Sequence, residues 1–389
     1  MSNVLILGSG TQALALIKPL RKAGNKVVLL YTELNNYAES SKYVSEKVYC
    51  PLGPKDPKFL NCVIDTIKDK KIDAIIPMGD ALAEFLSRNK SVLLPLVHFK
   101  SPDLENFIKG YDKNQLMSLC QKNGYPIPDT IDLSKVDYSN KSVFAQFPFP
   151  ALLKPNCTTG GRGMTLINSF EDLLEKYPKI HEFYGNCHLQ KFIREGGRQV
   201  KVQIYIDESK KLVASSVLQK VRWYPVKGGA SCCAVSIKDD YIVNICYKIL
   251  CDIGWLGFAD FDLIEDPDDG KLKIMEINPR VPACVKTGIV AGVNWAQIIL
   301  DGCLGKPQKE YVYKEGAVLR HLGFDVLWFL HSKNRFKVKP SWFKFFGGKV
   351  RYQDFDLFDP MPFIKGTWHN VKRLFDPSFR KAKSGVAKI

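Results

Sequence analysis

The sequence predicts a mixed architecture: a parallel α/β domain first, an α+β region after it, and a basic, aromatic extension at the end. Three observations carry this. Short apolar runs alternate with amphipathic helical stretches over roughly the first 95 residues; strands and glycine turns follow one another up to about residue 280; and the charge balance shifts beyond residue 310.

The opening run NVLILG (3–8) reads as a strand, the stretch to about Lys22 as a helix, and KVVLLYT (26–32) as a second strand. The turn between them, Gly8-Ser-Gly10-Thr-Gln-Ala13, has the GxGxxA spacing in which glycines let a backbone approach a phosphate at a helix N-terminus. A dinucleotide site is one reading, but the motif alone is weak, since many βα turns carry glycines only for packing. IDAIIPMGDALAEFL (72–86) continues as strand, turn and helix, with Asp80 placed as an N-cap. Residues 1–95 form one domain on this reading.

DKNQLMSLCQKNG (112–124) reads as a helix closed by Gly124, with Pro126 and Pro128 beyond it. In FPALLKPNCTTGGRGMTLI (149–167), two short strands flank a loop with Gly160, Gly161, Arg162 and Gly163. Such a loop presents unobstructed N–H groups that suit anionic phosphates, although a plain hairpin turn has the same composition. Lys154 ends the apolar strand before it and reads as a phosphate ligand. CHLQKFI (187–193) and VKVQIYID (200–207) are strands, followed by LVASSVLQKVRWYP and ASCCAVSI around a Lys227-Gly228-Gly229 turn. After a helix at about 240–253, GFADFDLI (257–264) and KLKIMEINP (271–279) make a hairpin across Asp266–Gly270.

Either register of that hairpin puts Asp260, Asp262, Glu276 and Asn278 on one face, with Arg280 beyond. Opposed carboxylates destabilise a sheet unless a cation offsets them, and this donor set suits Mg²⁺ completed by nucleotide phosphates and water. A solvated polar face with Arg280 as counter-ion is the competing reading.

Lys154 with its glycine loop, Gln190-Lys-Phe-Ile193, Asp262 and Glu276-Ile-Asn278-Pro-Arg280, in this order, resemble the ATP-grasp superfamily. The likeness is to single-unit carboxylate–amine ligases related to the carbamoyl-phosphate synthase large subunit, over roughly residues 1–305. It implies a pre-ATP-grasp α/β domain (1–95), a two-lobed ATP-grasp domain (96–310) and the extension (311–389). It implies ATP and Mg²⁺ as cofactors, with Mn²⁺ as a substitute. Lys113 and Lys154 resemble basic phosphate contacts, and Thr159, Gly160, Gly161, Arg162 and Gly163 the flap over the phosphates. Gln190, Lys191, Phe192 and Ile193 resemble the adenine hinge. Gln199 stands where an acidic ribose ligand is common. Asp262, Glu276 and Asn278 resemble the metal ligands, and Arg280 the arginine on the transferred phosphate. The implied reaction activates a carboxylate as an acyl phosphate, which an amine then displaces. Carbamoyl-phosphate synthesis itself is not expected, because it takes two such units and no internal repeat is present.

The sequence admits two other classes: an NAD-type oxidoreductase built on GSGTQA, and a non-catalytic ATP-binding regulatory module. The latter would be expected to lack a metal ligand or the phosphate lysine, and here both kinds of residue are in place.

The bulk numbers narrow the setting. Eleven scattered cysteines with no CxxC predict reduced thiols in a cytoplasm rather than disulfides or a zinc site. The start, MSNVLILGSG, has no basic flank and its apolar run stops at Gly8, so it reads as a strand and not a signal peptide. The net charge is +16, and residues 311–389 hold 16 Lys/Arg against 6 Asp/Glu, with aromatics interleaved. That extension can pack on the body or rest on an anionic membrane surface; no nucleic-acid motif accompanies its charge. The expected partners are small-molecule, lipid-linked or polymer-linked carboxylates and amines, and a homodimer is an expected assembly. Lys220 and Arg222 are candidates for a substrate carboxylate, and Lys286 and Thr287 for phosphate or acceptor.

Overall fold

The structure, a computed structural model, describes residues 1–158, 161–226 and 229–374. They fall into two compact units: Met1–Phe107 with Val200–Phe261 and Asn278–Val371, and Ile108–Gln199 with Asp262–Ile277.

The chain begins with β1 (Asn3–Leu7), α1 (Thr11–Lys22), β2 (Lys26–Tyr31), β3 (Glu46–Tyr49), α2 (Phe59–Lys70), β4 (Ala74–Pro77), α3 (Asp80–Arg88) and α4 (Lys90–Leu93). The four strands are parallel, in the order β3-β2-β1-β4. The two central strands are buried on both faces, which is why they read as unbroken apolar runs. Helix α1 buries Ala13, Leu16, Ile17 and Leu20, one face of a 3.6-residue period. In the turn before it, Gly8 has φ +109°, and a Cβ there would lie 3.0 Å from Leu82 Cδ1. The side-chain space at Gly10 is filled by Gln12, whose amide donates to the Met78 carbonyl. The turn is therefore closed by its own chain, in line with the packing reading of its glycines.

Helix α5 (Leu104–Tyr111) leads to α6 (Lys113–Lys122), where the N-cap Asp112 accepts from the Asn114 and Gln115 N–H groups. Then come β5 (Thr130–Asp132), β6 (Ala151–Pro155), β7 (Thr165–Ile167), α7 (Phe170–Tyr184) and β8 (Cys187–Lys191). The strands form an antiparallel sheet, β5-β8-β6-β7, with Lys154 opposite His188 and Leu152 opposite Gln190. Helix α7 packs Leu173, Tyr177 and Ile180 against Leu153, Ile167 and Leu189.

The remainder comprises β9 (Gln199–Ile206), β10 (Leu212–Tyr224), β11 (Ala230–Ile237), α8 (Asp240–Ile253), β12 (Gly257–Glu265), β13 (Leu272–Asn278), α9 (Val285–Val290), α10 (Trp295–Cys303), β14 (Val318–Arg320), α11 (Leu322–His331), β15 (Val350–Tyr352) and α12 (Met361–Leu374). Its strands lie in one sheet, β13-β12-β9-β10-β11-β14-β15. The first half of the basic extension is thus built into the fold: β14 pairs antiparallel with β11, and β15 runs parallel to β14.

One expectation is corrected there. Arg222 is fully buried and its guanidinium holds Asp325 with two bonds, Nε to Oδ1 at 2.6 Å and Nη2 to Oδ2 at 2.9 Å. Arg320 Nε donates to the same carboxylate at 2.6 Å. Arg222 is a structural ligand of the extension, not a substrate contact.

Candidate functional site

The sequence candidates fall in both units. In the second unit, β6 delivers Lys154 into a buried position, where its Nζ donates to Gln190 Oε1 at 2.5 Å. The Gln190 amide in turn donates to Thr130 Oγ1 at 3.1 Å, so the lysine is held through a side chain that is itself fixed. Lys113, at the first turn of α6, donates to the Thr158 carbonyl at 2.8 Å and lies 3.3 Å from Glu276 Oε2. Burial pushes the Lys154 ammonium down to about 8; the Glu276 carboxylate pulls it back up and Lys113 adds to the depression. His188, opposite Lys154, is pushed down to about 3 by burial and then by the two lysines, so it is neutral and adds no charge. Two cations, one carboxylate and one amide therefore converge here from α6, β6, β8 and β13. Asp262 is half-buried on β12.

The glycine loop has positive φ at Gly161 (74°) and Gly163 (73°). A Cβ on Gly163 would lie 2.8 Å from both Pro155 Cγ and Tyr184 Cε2, so this residue is glycine for conformation and for space. Arg162 is exposed, and its carbonyl accepts from Thr158 Oγ1 at 3.0 Å. Thr159 and Gly160 lie outside the described residues. At the expected hinge, Lys191 pairs with Asp266 (3.0 Å) and Asp268 (3.1 Å), and the Phe192 N–H donates to the Pro150 carbonyl at 3.1 Å. Phe192, Ile193 and Gln199 are half-buried, the last as the first residue of β9.

In the first unit, Asp260 is fully buried on β12 and accepts from Lys201 Nζ at 2.6 Å. The Asn278 amide lies 3.4 Å from Asp260 Oδ2, which places these two on one face as the hairpin pattern required. Arg280 Nε donates to Asp80 Oδ1 at 3.0 Å, and its Nη2 reaches Asn278 Oδ1 at 3.5 Å. Asp80 is thus an acceptor for Arg280; the N-cap position of α3 belongs to Gly79, with no side-chain cap. Lys201 was missed in the sequence, although Lys201 and Gln203 stand out as polar residues on a strand that is buried from Val200 to Ile206. Lys286 donates to the Tyr352 carbonyl at 2.6 Å, and Thr287 is fully buried. Thr287 therefore lies in the interior of this unit, while Lys286 is half-buried.

For a metal, the donor chemistry fits Mg²⁺. Among the described residues no group of three or more His, Cys, Asp or Glu side chains gathers into a cage. Asp262 and Glu276 offer the one or two carboxylates that Mg²⁺ takes when phosphates and water complete its shell. Asn278 offers an amide oxygen two residues beyond Glu276.

The chain is similar to known proteins over the same region. Residues 112–300 match the family "Carbamoyl-phosphate synthase L chain, ATP binding domain". The urea amidolyase of Saccharomyces cerevisiae is 28% identical over 222 residues, 54% of this chain but only 12% of that protein. The D-aspartate ligase of Enterococcus faecium is 24% identical over 332 residues, 79% of this chain and 78% of the ligase. In structure, the biotin carboxylase β-γ-ATP complex from Campylobacter jejuni superposes with a TM-score of 0.69 at 19% identity, covering 82% of this chain and 74% of that one. Residues 112–300 are thus similar to an ATP-binding domain of the carbamoyl-phosphate synthase type, and the chain shares its fold with a biotin carboxylase.

Proposed function

We propose that this protein is an ATP- and Mg²⁺-dependent ligase that joins a carboxylate to an amine and releases ADP and phosphate. The observation that carries the reading is the convergence of Lys113, Lys154, Gln190 and Glu276 in one unit. A carboxylate does not condense with an amine in water, because oxide is a poor leaving group. In the proposed reaction a carboxylate oxygen attacks the γ-phosphorus and ADP leaves; the amine then attacks the acyl carbon and phosphate leaves. The protein's part is positioning and charge neutralisation.

In this reading residues 96–310 hold the nucleotide. Lys113 and Lys154 neutralise phosphate oxygens, and the loop 159–163 closes over them with its N–H groups and Arg162. Gln190, Lys191, Phe192 and Ile193 receive adenine, and Gln199 bonds the ribose hydroxyls. Asp262, Glu276 and Asn278 hold Mg²⁺, which screens the phosphate charge; Mn²⁺ substitutes. Arg280, oriented by Asp80, contacts the transferred phosphoryl group.

The likeness to a D-aspartate ligase over most of its length favours an amino acid as the amine. We assign the carboxylate to a peptide or a cell-surface polymer, lipid-linked or soluble, and the enzyme to the cytoplasm, at the inner membrane surface when the substrate is lipid-linked. We assign a homodimer as the assembly, which gel filtration checks.

The test is ADP release with Mg-ATP against pooled carboxylates and amines. Release should need both pools and should fall at least ~100-fold in Glu276→Gln, the scale of a lost electrostatic contact in a reaction centre. A folded Glu276→Gln protein with near-normal turnover would remove the metal assignment.

A further inference from the structure

The extension has two sides, and only one is explained by packing. Inward, Asp325, Trp328 and Val350 are buried, and Trp342 Nε1 donates to the Asp325 carbonyl at 3.0 Å. Outward, four bulky apolar side chains stand in solvent: Leu330 is 60% exposed, Phe336 75%, Phe343 58% and Phe346 88%. Between Val326 and Gln353 the chain has seven Lys/Arg and no Asp or Glu. Lys333, Lys337, Lys339 and Lys344 are exposed among those rings, and none makes an ion pair among the described residues.

We infer that this face, residues 326–351, docks on an anionic lipid surface. The inference deepens the membrane-surface part of the functional reading by naming the residues that make the contact. Aromatic and aliphatic side chains enter the headgroup boundary while surrounding lysines meet anionic headgroups, and each half compensates for what the other leaves unmatched in water. A second copy of this chain is a poor occupant, because the face carries charge of one sign only. Single-stranded nucleic acid would be served by the rings and lysines but not by the aliphatic Leu330 and Val326, which offer no stacking surface. The face is held rigidly from behind: Phe329 stacks on Trp342 with ring centroids 4.1 Å apart, and Arg335 donates to the Phe329 carbonyl at 3.3 Å.

The experiment is co-sedimentation of the full chain with vesicles of phosphatidylcholine alone or mixed with phosphatidylglycerol, beside a single-stranded RNA binding assay. The protein should bind the mixed vesicles and not the neutral ones. Each basic residue near such a surface contributes about fivefold to binding, so K333E/K337E/K339E should bind the mixed vesicles at least a hundredfold more weakly. F336S/F343S/F346S should bind them at low salt and release them at physiological salt. All six positions are exposed, so circular dichroism of both variants should match the parent. Sedimentation reads lipid binding directly, so a failure of ligase activity leaves it intact and the reverse also holds. No binding to the mixed vesicles, equal binding by parent and both variants, or a preference for RNA that the same substitutions abolish would each overturn the inference.

Discussion

At the scale of single residues, Lys154 is the group whose surroundings make the sharpest demand. Burial brings its ammonium down to about 8 in the free protein, with Glu276 opposing and Lys113 assisting. The amine is therefore cationic below that pH and loses its proton as pH rises through it. If it neutralises phosphate, kcat/KM for Mg-ATP should be level below about pH 8 and fall above it, since this parameter reports the free enzyme. Lys286 is also brought down to about 8 by burial, so the limb needs assigning. Lys286→Met should keep it, whereas Lys154→Met should lose it from a starting activity at least ~100-fold lower. A limb that persists unchanged in Lys154→Met would break the link. The same depression has a stability consequence with a fixed sign. Between about pH 8 and the ordinary lysine value the unfolded chain binds a proton the native one does not, so this group makes the native state more stable as pH rises.

Among elements, the hairpin β12–β13 and the join of β14 to β11 show what a sequence discloses. The hairpin was legible because its signals are local: alternating strands, an Asp-Pro-Asp-Asp-Gly turn, and polar residues at every second position. The opening β1-α1-β2 unit was legible for the same reason. Ion pairs that close the fold were not. Arg280 and Asp80 are 200 residues apart, Lys201 and Asp260 are 59 apart, and Arg222 and Asp325 are 103 apart. No periodicity connects such partners, so Asp80 read as a cap and Arg222 as a substrate ligand. The Arg222–Asp325–Arg320 cluster also carries a prediction. All three residues are at most 1% exposed, so Asp325→Ala would strand two guanidinium groups without their counter-charge. Breaking one partner of a buried pair costs about 3–5 kcal/mol, and urea unfolding should show a loss of that size with an unchanged slope. A loss below about 1 kcal/mol would mean water reaches the cluster.

For the whole molecule, the question is whether the extension is a separable module, as its composition suggested, or part of the first unit's frame. Its strands decide the expectation. β14 and β15 end the seven-stranded sheet, and Leu319 packs in one buried cluster with Leu218, Ala234 and Cys284, while Val318 and Val350 pack with Cys233. Farther on, the Asn370 amide donates to Tyr37 Oη at 2.9 Å, and Asp359 accepts from the Lys42 N–H at 3.2 Å. A chain ending at residue 310 would expose the edge of β11 and leave Arg222 without Asp325. It should therefore be insoluble on expression, or melt well below the full chain, because an unpaired hydrophobic edge is a site of aggregation. A chain carrying K333E/K337E/K339E, whose three positions are all exposed, should melt with the full-length protein. If instead residues 1–310 gave a soluble protein with the full-length melting temperature, the extension would be an appendage after all. Its lipid-facing side chains would then be tethered to the ligase by the chain and not by the fold.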